Sequence, residues 1–171
     1  MVGNQARPPA RLPAVTVAPT QALLGQQAPD FVARNQHGET VRAADLRGRR
    51  ALLVFYPWAF SGICTSELAH IDARADDLSR SGTRVLAISC DAMFTLRAYA
   101  EAENLSFELL SDHWPHGAIA RAFGVFDERA GVAVRGSFLI DPTGVVGWSV
   151  VNGIGDGRDI DAHLAAIAAE A

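Results

Sequence analysis

Apolar runs of strand length alternate with amphipathic segments along most of the chain. Residues 51–56 (ALLVFY) are continuously apolar and lie between Arg50 and Pro57, which is typical of a strand buried on both faces of a sheet. Residues 84–90 (RVLAISC) form a second run of this kind. Both runs therefore predict central strands of one sheet.

One amphipathic helix is predicted between these two strands, ending near Gly82. Its apolar positions recur at helical spacing, and the aspartates fall elsewhere on the helical wheel; the apolar positions are Leu68, Ile71, Ala75 and Leu78. A strand, a helix and a strand of these lengths predict a parallel, right-handed crossover unit.

Further short elements are predicted on both sides of this unit: strands at Phe31, at Thr40 and over 107–110, and helices over 93–102, after Pro115 and around Ile160, Leu164 and Ile167. Residues 131–140 and 145–151 are two more apolar runs, and the turn residues 141–144 between them predict an antiparallel hairpin. The whole pattern predicts an α/β chain with a thioredoxin-like fold. Its mixed β-sheet would combine a parallel core with the antiparallel hairpin and be flanked by helices.

The length of 171 residues suits one domain, which we predict over residues 24–171. Residues 1–23 are predicted to be a flexible N-terminal extension, because Pro13 and Pro19 interrupt what would have to be the apolar core of a secretory signal. The formal net charge of −4 argues against nucleic acid or an anionic membrane as the main partner. Two cysteines are too few for a disulfide framework and suit a reducing compartment, so we predict a cytoplasmic protein.

The candidate chemistry centres on Cys64, which directly follows the first buried strand. Reactive groups in open α/β sheets lie at the carboxyl ends of strands. Cys64 is also predicted in the first turn of a helix, where the dipole and the free N–H groups favour a thiolate. Pro57 cannot continue the strand and fixes the entry of the loop, and Ser61 offers a hydroxyl three residues before the sulfur. Taken alone, the segment also fits an inert buried cysteine behind a helix cap.

Arg135 is the second candidate, because it interrupts an apolar strand of the predicted hairpin. A guanidinium in that position must point to solvent or meet a buried anion. Since its strand belongs to the same sheet as the strand that feeds Cys64, Arg135 could reach the thiolate.

The segment YPWAFSGICTSEL (residues 56–68) resembles the catalytic loop of the peroxiredoxin family, whose signature is Pro-x-x-x-Thr/Ser-x-x-Cys. ISCDAMFTLRAYAE, SDHWPHGAIARAFGVFDE and VRGSFLIDPTGVV are similar to later blocks of that family and follow in the same order. The resemblance implies a thiol-specific peroxidase that reduces hydrogen peroxide and organic hydroperoxides, with no metal and no organic cofactor. It also implies a homodimer as the expected assembly.

The same resemblance implies a role for each matching residue. Cys64 would be the peroxidatic nucleophile that becomes a sulfenic acid, Ser61 would orient the peroxide, and Pro57 would shield the sulfur. Arg135 would be the active-site arginine, and Glu67 would help to hold it. Ser61 departs from the commoner threonine: the hydroxyl remains but the stiffening methyl group is lost.

Cys90, the second cysteine, is either a buried strand residue or a thiol that resolves the sulfenic acid. We favour an enzyme similar to the one-cysteine alkyl hydroperoxide reductase E subgroup, reduced by a small thiol or a redoxin. A redox sensor without turnover stays open as the alternative function.

Three other functions are less favoured: thiol–disulfide exchange, metal binding and dinucleotide binding. A thiol–disulfide oxidoreductase would need Cys-x-x-Cys, and position 61 is serine. His113 and His116 with Asp112 lack a second pair of metal ligands. The glycines of residues 153–157 lack dinucleotide-binding spacing and are interpreted as a flexible loop.

Overall fold

The computed structural model describes residues 20–169, in which strands and helices alternate. The elements are β1 (Val32–Asn35), β2 (Thr40–Arg42), β3 (Arg50–Phe55), α1 (Gly62–Asp72), α2 (Ala75–Arg80), β4 (Thr83–Ser89), α3 (Met93–Glu103), β5 (Glu108–Ser111), α4 (Ala118–Ala122), β6 (Phe126–Asp127), β7 (Val132–Ala133), β8 (Arg135–Ile140), β9 (Val146–Asn152) and α5 (Ile160–Ala169). Short 3₁₀ turns cover Thr20–Leu23 and Ala43–Leu46.

Seven strands form one mixed sheet in the order β2-β1-β5-β4-β3-β8-β9. Strand β4 pairs in parallel with β3 and with β5, whereas β8 is antiparallel to both β3 and β9. The predicted parallel core and antiparallel hairpin are therefore confirmed. Strand β3 lies between β4 and β8, so the loop after β3 leaves the middle of the sheet.

The side chains of the central strands alternate between two apolar layers. Leu53 and Phe55 of β3 pack in the layer that includes α4, and Leu52 and Val54 pack in the layer that includes α1, α3 and α5. This alternation follows from the two-residue period of a strand. Burial on both faces explains why the sequence of β3 is apolar without interruption.

The structure differs from the sequence prediction in the helix after β3, which is two helices. Asp72 ends α1 and its carboxylate accepts hydrogen bonds from the backbone N–H and the hydroxyl of Ser106. Arg74 then leaves the helical conformation (φ −113°, ψ 9°), and α2 starts afresh with Asp76 and Asp77 in its first turn. Aspartate is a poor residue for a helix interior and a good one for its N-terminal turn, which explains the division.

The first strand of the predicted hairpin is also divided, at Val134. Residues 132–133 pair with β6 in a separate two-stranded sheet, and only residues 135–140 join the main sheet. Between the two pieces, the backbone N–H of Val134 donates to the carbonyl of Val125 rather than to a strand of the main sheet. Arg135 is therefore the first residue of its strand rather than an interior one.

The described residues contain no helix that is both long and apolar enough to cross a membrane. Most of the predicted N-terminal extension, residues 1–19, lies outside the described residues. The domain boundary at residue 24 thus stays a prediction.

Candidate active site

Cys64 lies in the first turn of α1, as its third residue, and its side chain is fully buried. Ser61 takes the N-cap position with extended backbone (φ −80°, ψ 139°), so the helix begins directly after it. Buried Pro57 follows the end of β3 and starts the loop that leads there. The predicted location of the thiol at a strand end and a helix N-terminus is confirmed.

Three contacts tie the loop and the first turn of α1 to neighbouring elements. Phe60 adopts a left-handed conformation (φ 62°), which costs about 1–2 kcal/mol for a residue with a Cβ, and its ring packs against Tyr99 of α3 at 4.9 Å. The hydroxyl of Tyr99 also shares a hydrogen bond of 3.0 Å with Thr65, the residue after Cys64. On the other side of the loop, the N–H of Ala59 donates to Asp91. The turn that carries the thiol is thus held from both sides.

Arg135, the first residue of β8, contacts the sulfur of Cys64. Its Nη1 lies 3.5 Å from Sγ of Cys64 and 2.6 Å from Oε2 of Glu67, while its Nε donates to the carbonyl oxygen of Ile154 at 2.8 Å. The guanidinium is only 2% exposed, so it meets a buried partner rather than solvent. The structure therefore brings together Cys64, Arg135 and Glu67, as the sequence predicted.

A second arginine, Arg158, completes this cluster and was missed by the sequence analysis. Its guanidinium donates to Oε2 of Glu67 at 3.0 and 3.3 Å, and its backbone N–H donates to Oε1 at 2.6 Å. One signal was present in the sequence. A cation just before an apolar helix is unfavourable with the helix dipole, which suggests a specific anionic partner.

The Arg135–Glu67–Arg158 cluster carries more positive than negative charge. Burial alone would raise the pKa of Glu67, but Arg158 and then Arg135 outweigh burial and hold it below its ordinary value. Burial also lowers the pKa of Arg158, which Glu67 opposes, and an arginine stays charged in proteins. Two guanidinium groups thus face one carboxylate. This excess of positive charge is in contact with the sulfur of Cys64 through Arg135.

Ser61, the N-cap residue three positions before Cys64, has an unused hydroxyl. Its Oγ is buried and has no hydrogen-bond partner among residues 20–169. A buried polar atom without a partner normally costs stability, and such atoms in native proteins call for an explanation. The hydroxyl is free to donate to a small molecule bound at the thiol.

Cys90 directly follows β4, and the two-residue period of that strand puts its side chain on the face of Ile88, which packs in the layer of α4. The backbone N–H of Ala133, a residue of the same layer, is close enough to lower the pKa of its thiol, against the larger effect of burial. Burial, and next the charge of Asp112, raise the pKa of the Cys90 thiol to about 11. Cys64 packs in the opposite layer, and both thiols are free.

The less favoured sites take other roles in the structure. The carboxylate of Asp112 accepts the backbone N–H groups of Ile119 and Ala120 at the start of α4, and His116 contacts the carbonyl of Gly131. Within residues 20–169, no three His, Cys, Asp or Glu side chains are grouped as metal ligands. The glycine segment, interpreted as a loop, supplies through Ile154 the carbonyl that orients Arg135.

Comparison with known proteins finds one matching family profile and relatives that match most of the chain. The sequence profile of the AhpC/TSA family matches residues 24–149. The chain is 39% identical over 137 residues to alkyl hydroperoxide reductase E of Mycobacterium tuberculosis, a match that covers 80% of this chain and 90% of that protein. It is 33% identical to the putative peroxiredoxin sll0755 of Synechocystis over 151 residues, covering 82% and 74% of the two chains.

Solved structures with the same fold include two bacterial proteins. AhpC of Enterococcus faecalis superposes with a TM-score of 0.78 at 31% identity, covering 86% of this chain and 92% of that one. Peroxidoxin BcpB of Mycobacterium tuberculosis gives a TM-score of 0.77 at 28% identity, covering 85% and 96%. The predicted thioredoxin-like fold is confirmed by this likeness.

Proposed function

Because this chain belongs to the AhpC/TSA family of peroxiredoxins and is a thiol-dependent peroxidase, we propose that Cys64 is the residue that reduces the peroxide. The thiolate attacks the near oxygen of a hydroperoxide, the S–O bond forms as the O–O bond breaks, and Cys64 becomes a sulfenic acid. The departing oxygen takes a proton and leaves as water or an alcohol. The observation that carries this proposal is the 3.5 Å contact between Arg135 and the sulfur, inside a buried cluster with excess positive charge.

Ionisation of the Cys64 thiol explains only a small part of the rate enhancement that a peroxidase needs. A free cysteine is already about 3% thiolate at pH 7, so complete ionisation gains only about 30-fold. The remainder must come from groups that align the O–O bond and bind the developing negative charge. We assign these tasks to Arg135, to the hydroxyl of Ser61 and to the N–H groups of the first turn of α1. Pro57 would shield the sulfur, and Glu67 would hold the arginine in place.

We infer that the sulfenic acid is resolved by an external thiol rather than by Cys90. The two cysteines pack in opposite layers of the sheet, and the Cys90 thiol, whose pKa is raised to about 11, is a poor nucleophile near neutral pH. A small thiol or a redoxin would then form the mixed disulfide with Cys64. Turnover with such a reductant would also separate an enzyme from a redox sensor that only signals.

A homodimer is the assembly we propose. Three large apolar side chains around the catalytic loop are exposed, Trp58 at 42%, Phe60 at 53% and Ile63 at 44%. Such a patch beside a buried site is more typical of a protein contact than of a solvated surface. Sedimentation equilibrium tests this: Phe60→Ser should shift the protein from dimer to monomer, and a wild-type monomer at all concentrations would contradict it.

We also propose that the protein acts in the cytoplasm. Both thiols are free in the structure and the chemistry needs a reduced Cys64, which a reducing compartment maintains. Cell fractionation followed by immunodetection checks this proposal.

One experiment tests the central reaction. Reduced protein is mixed with substoichiometric hydrogen peroxide, an excess of a small thiol and a sulfenic-acid trap, and the labelled peptide is identified by mass. We expect the trap on Cys64 in spite of the competing thiol, and none on a Cys64→Ala control. Oxidation of the small thiol at the same rate with Cys64→Ala as with the wild type, and no trap on Cys64, would refute a peroxidatic role, and a Cys64–Cys90 disulfide would refute external resolution.

A further inference from the structure

A buried histidine is connected to the arginine cluster through the hydroxyl of Ser137. His163 of α5 is 2% exposed and shares the apolar stripe of its helix with Ile160 and Ile167. Its ring packs edge-on against Trp148 of β9 at 4.9 Å. Histidine is an expensive residue for such a position unless both ring nitrogens have partners.

The partners of His163 define its state. Nδ1 lies 2.6 Å from the carbonyl oxygen of Asp159, and a carbonyl can only accept, so Nδ1 carries a proton. Nε2 lies 2.8 Å from the hydroxyl of Ser137. That hydroxyl already accepts a hydrogen bond of 3.2 Å from Nη1 of Arg158, which has no acceptor to offer in return. The O–H of Ser137 therefore donates to Nε2, and His163 is neutral.

These bonds continue into the catalytic cluster without a gap. Arg158 donates on one edge to Ser137 and to the carbonyl of Gly136, and on the other edge to Glu67. Glu67 in turn accepts from Arg135, the arginine that contacts the sulfur. The orientation of Arg158 thus depends on acceptors at both edges of its guanidinium.

We propose that neutral His163 is a positioning residue, which through Ser137 holds the guanidinium of Arg158 in place behind the Arg135–Cys64 pair. The proposal rests on the role proposed above for that pair. A proton on Nε2 would turn this nitrogen from an acceptor into a donor, so the Ser137 hydroxyl would lose its partner. It would also place a second cation beside Arg158. Protonation therefore weakens the arrangement that serves the peroxide reaction.

The groups around His163 favour the neutral form. Burial lowers the pKa of His163 most, and the charge of Arg158 lowers it further, against the carbonyl of Asp159 and the carboxylates of Glu67 and Asp159. The net direction is downward from the ordinary value near 6.5. Above pH 6.5, His163 is therefore in its neutral form, which holds Arg158 in place. As the pH falls through the lowered pKa of His163 in the folded protein, the ring becomes protonated and the rate that it supports is lost.

The test compares variants by the second-order rate constant for oxidation of Cys64 by hydrogen peroxide, measured by stopped flow from pH 4.5 to 8. His163→Gln keeps a donor and an acceptor but cannot be protonated. We expect it to stay within about twofold of wild type at pH 7.5 and to lose less rate than wild type below pH 6. His163→Leu and Ser137→Ala should each lose about 5- to 10-fold at pH 7.5, the order of one hydrogen bond.

A double variant and a matched control distinguish positioning from a general packing defect. Ser137→Ala with His163→Leu should lose no more than the larger single loss, because both changes interrupt one chain of bonds. His70→Gln, a half-exposed histidine 3.9 Å from Asp161, should leave the pH profile unchanged. Fully additive losses, or a His163→Gln profile equal to wild type below pH 6, would overturn the inference. A wild-type Cys64 that does not react with peroxide would instead overturn the proposed function.

Discussion

Cys64 and Cys90 are both buried thiols that follow neighbouring parallel strands, yet their surroundings differ in the sign of the charge. Cys64 lies at a helix N-terminus beside Arg135 in a cluster with excess positive charge. At Cys90, burial and the negative charges of Asp112 and Asp91 raise the pKa of the thiol. Burial and a position at a strand end therefore do not make a cysteine reactive. The difference lies in the charges that the fold brings to each sulfur.

The largest expected effect is the loss of peroxidase turnover when the sulfur of Cys64 is removed, compared with removal of the sulfur of Cys90. Cys64→Ser should lose peroxidase turnover by more than about 1000-fold, because the nucleophile is gone. Cys90→Ser is the matched control and should keep turnover with a small-thiol reductant within about twofold, since a buried thiol replaced by a hydroxyl touches no reacting group. Steady-state peroxide consumption measures both. A loss of turnover in Cys90→Ser with intact Cys64 oxidation would assign Cys90 to resolution.

The second prediction concerns the reactivity of Cys90 itself. At pH 8 a thiol whose pKa is raised to about 11 is only about 0.1% ionised, whereas a free cysteine is about a quarter ionised. In Cys64→Ser, folded Cys90 should thus react with iodoacetamide at least about 100-fold more slowly than after unfolding in urea, with a rate that rises with pH. Mass spectrometry of timed samples gives the rates. Equal alkylation rates of Cys90 in the folded and the unfolded protein would contradict the conclusion that the fold makes Cys90 unreactive.

The third prediction tests the guanidinium at the reactive thiol. Arg135→Lys keeps a positive charge but loses the planar fork that contacts Cys64, Glu67 and Ile154 together. We expect the rate of Cys64 oxidation to fall about 10- to 100-fold, less than the roughly 100- to 1000-fold that follows when a donor to a developing anion is removed outright, because lysine keeps the charge. Arg80→Lys, an exposed arginine paired with Asp77, is the control and should have no effect. A rate near wild type in Arg135→Lys would mean that charge alone is sufficient.

The sequence patterns singled out Cys64 and Arg135 but left an inert cysteine and a solvent-facing arginine open, and the family resemblance decided between these interpretations. Cys64 follows a strand and opens a helix, and Arg135 is a charge beside an apolar strand, which calls for a buried partner. Arg158 and His163 were not predicted from the sequence, because their roles depend on the packing of α5 and the residues before it against α1 and β8. The position of His163, three residues after Ile160 on the apolar stripe, was a signal for burial but not for its partners.

The fold shows the same division between local and long-range information. The central strands were predicted to within about one residue, since a strand buried on both faces is apolar throughout. The break between α1 and α2 was missed, because it depends partly on Ser106, which binds Asp72 from a distant part of the chain. The opposite faces of Cys64 and Cys90 could have been inferred from strand alternation only after the pairing of β3 and β4 was known.

The smallest expected effect sharpens the comparison through the unpaired hydroxyl near Cys64. Ser61→Ala should slow Cys64 oxidation about 10-fold, because a donor to the peroxide is lost, while Ser61→Thr should restore most of the rate. Since the Oγ of Ser61 is buried without a partner, its removal should not lower the melting temperature. Ser66→Ala in the same helix, where the hydroxyl donates to the carbonyl of Gly62, should leave the rate unchanged. A fall in stability that accompanies the fall in rate would indicate a structural role for Ser61, whereas slower oxidation at unchanged stability means that the hydroxyl is kept for the substrate.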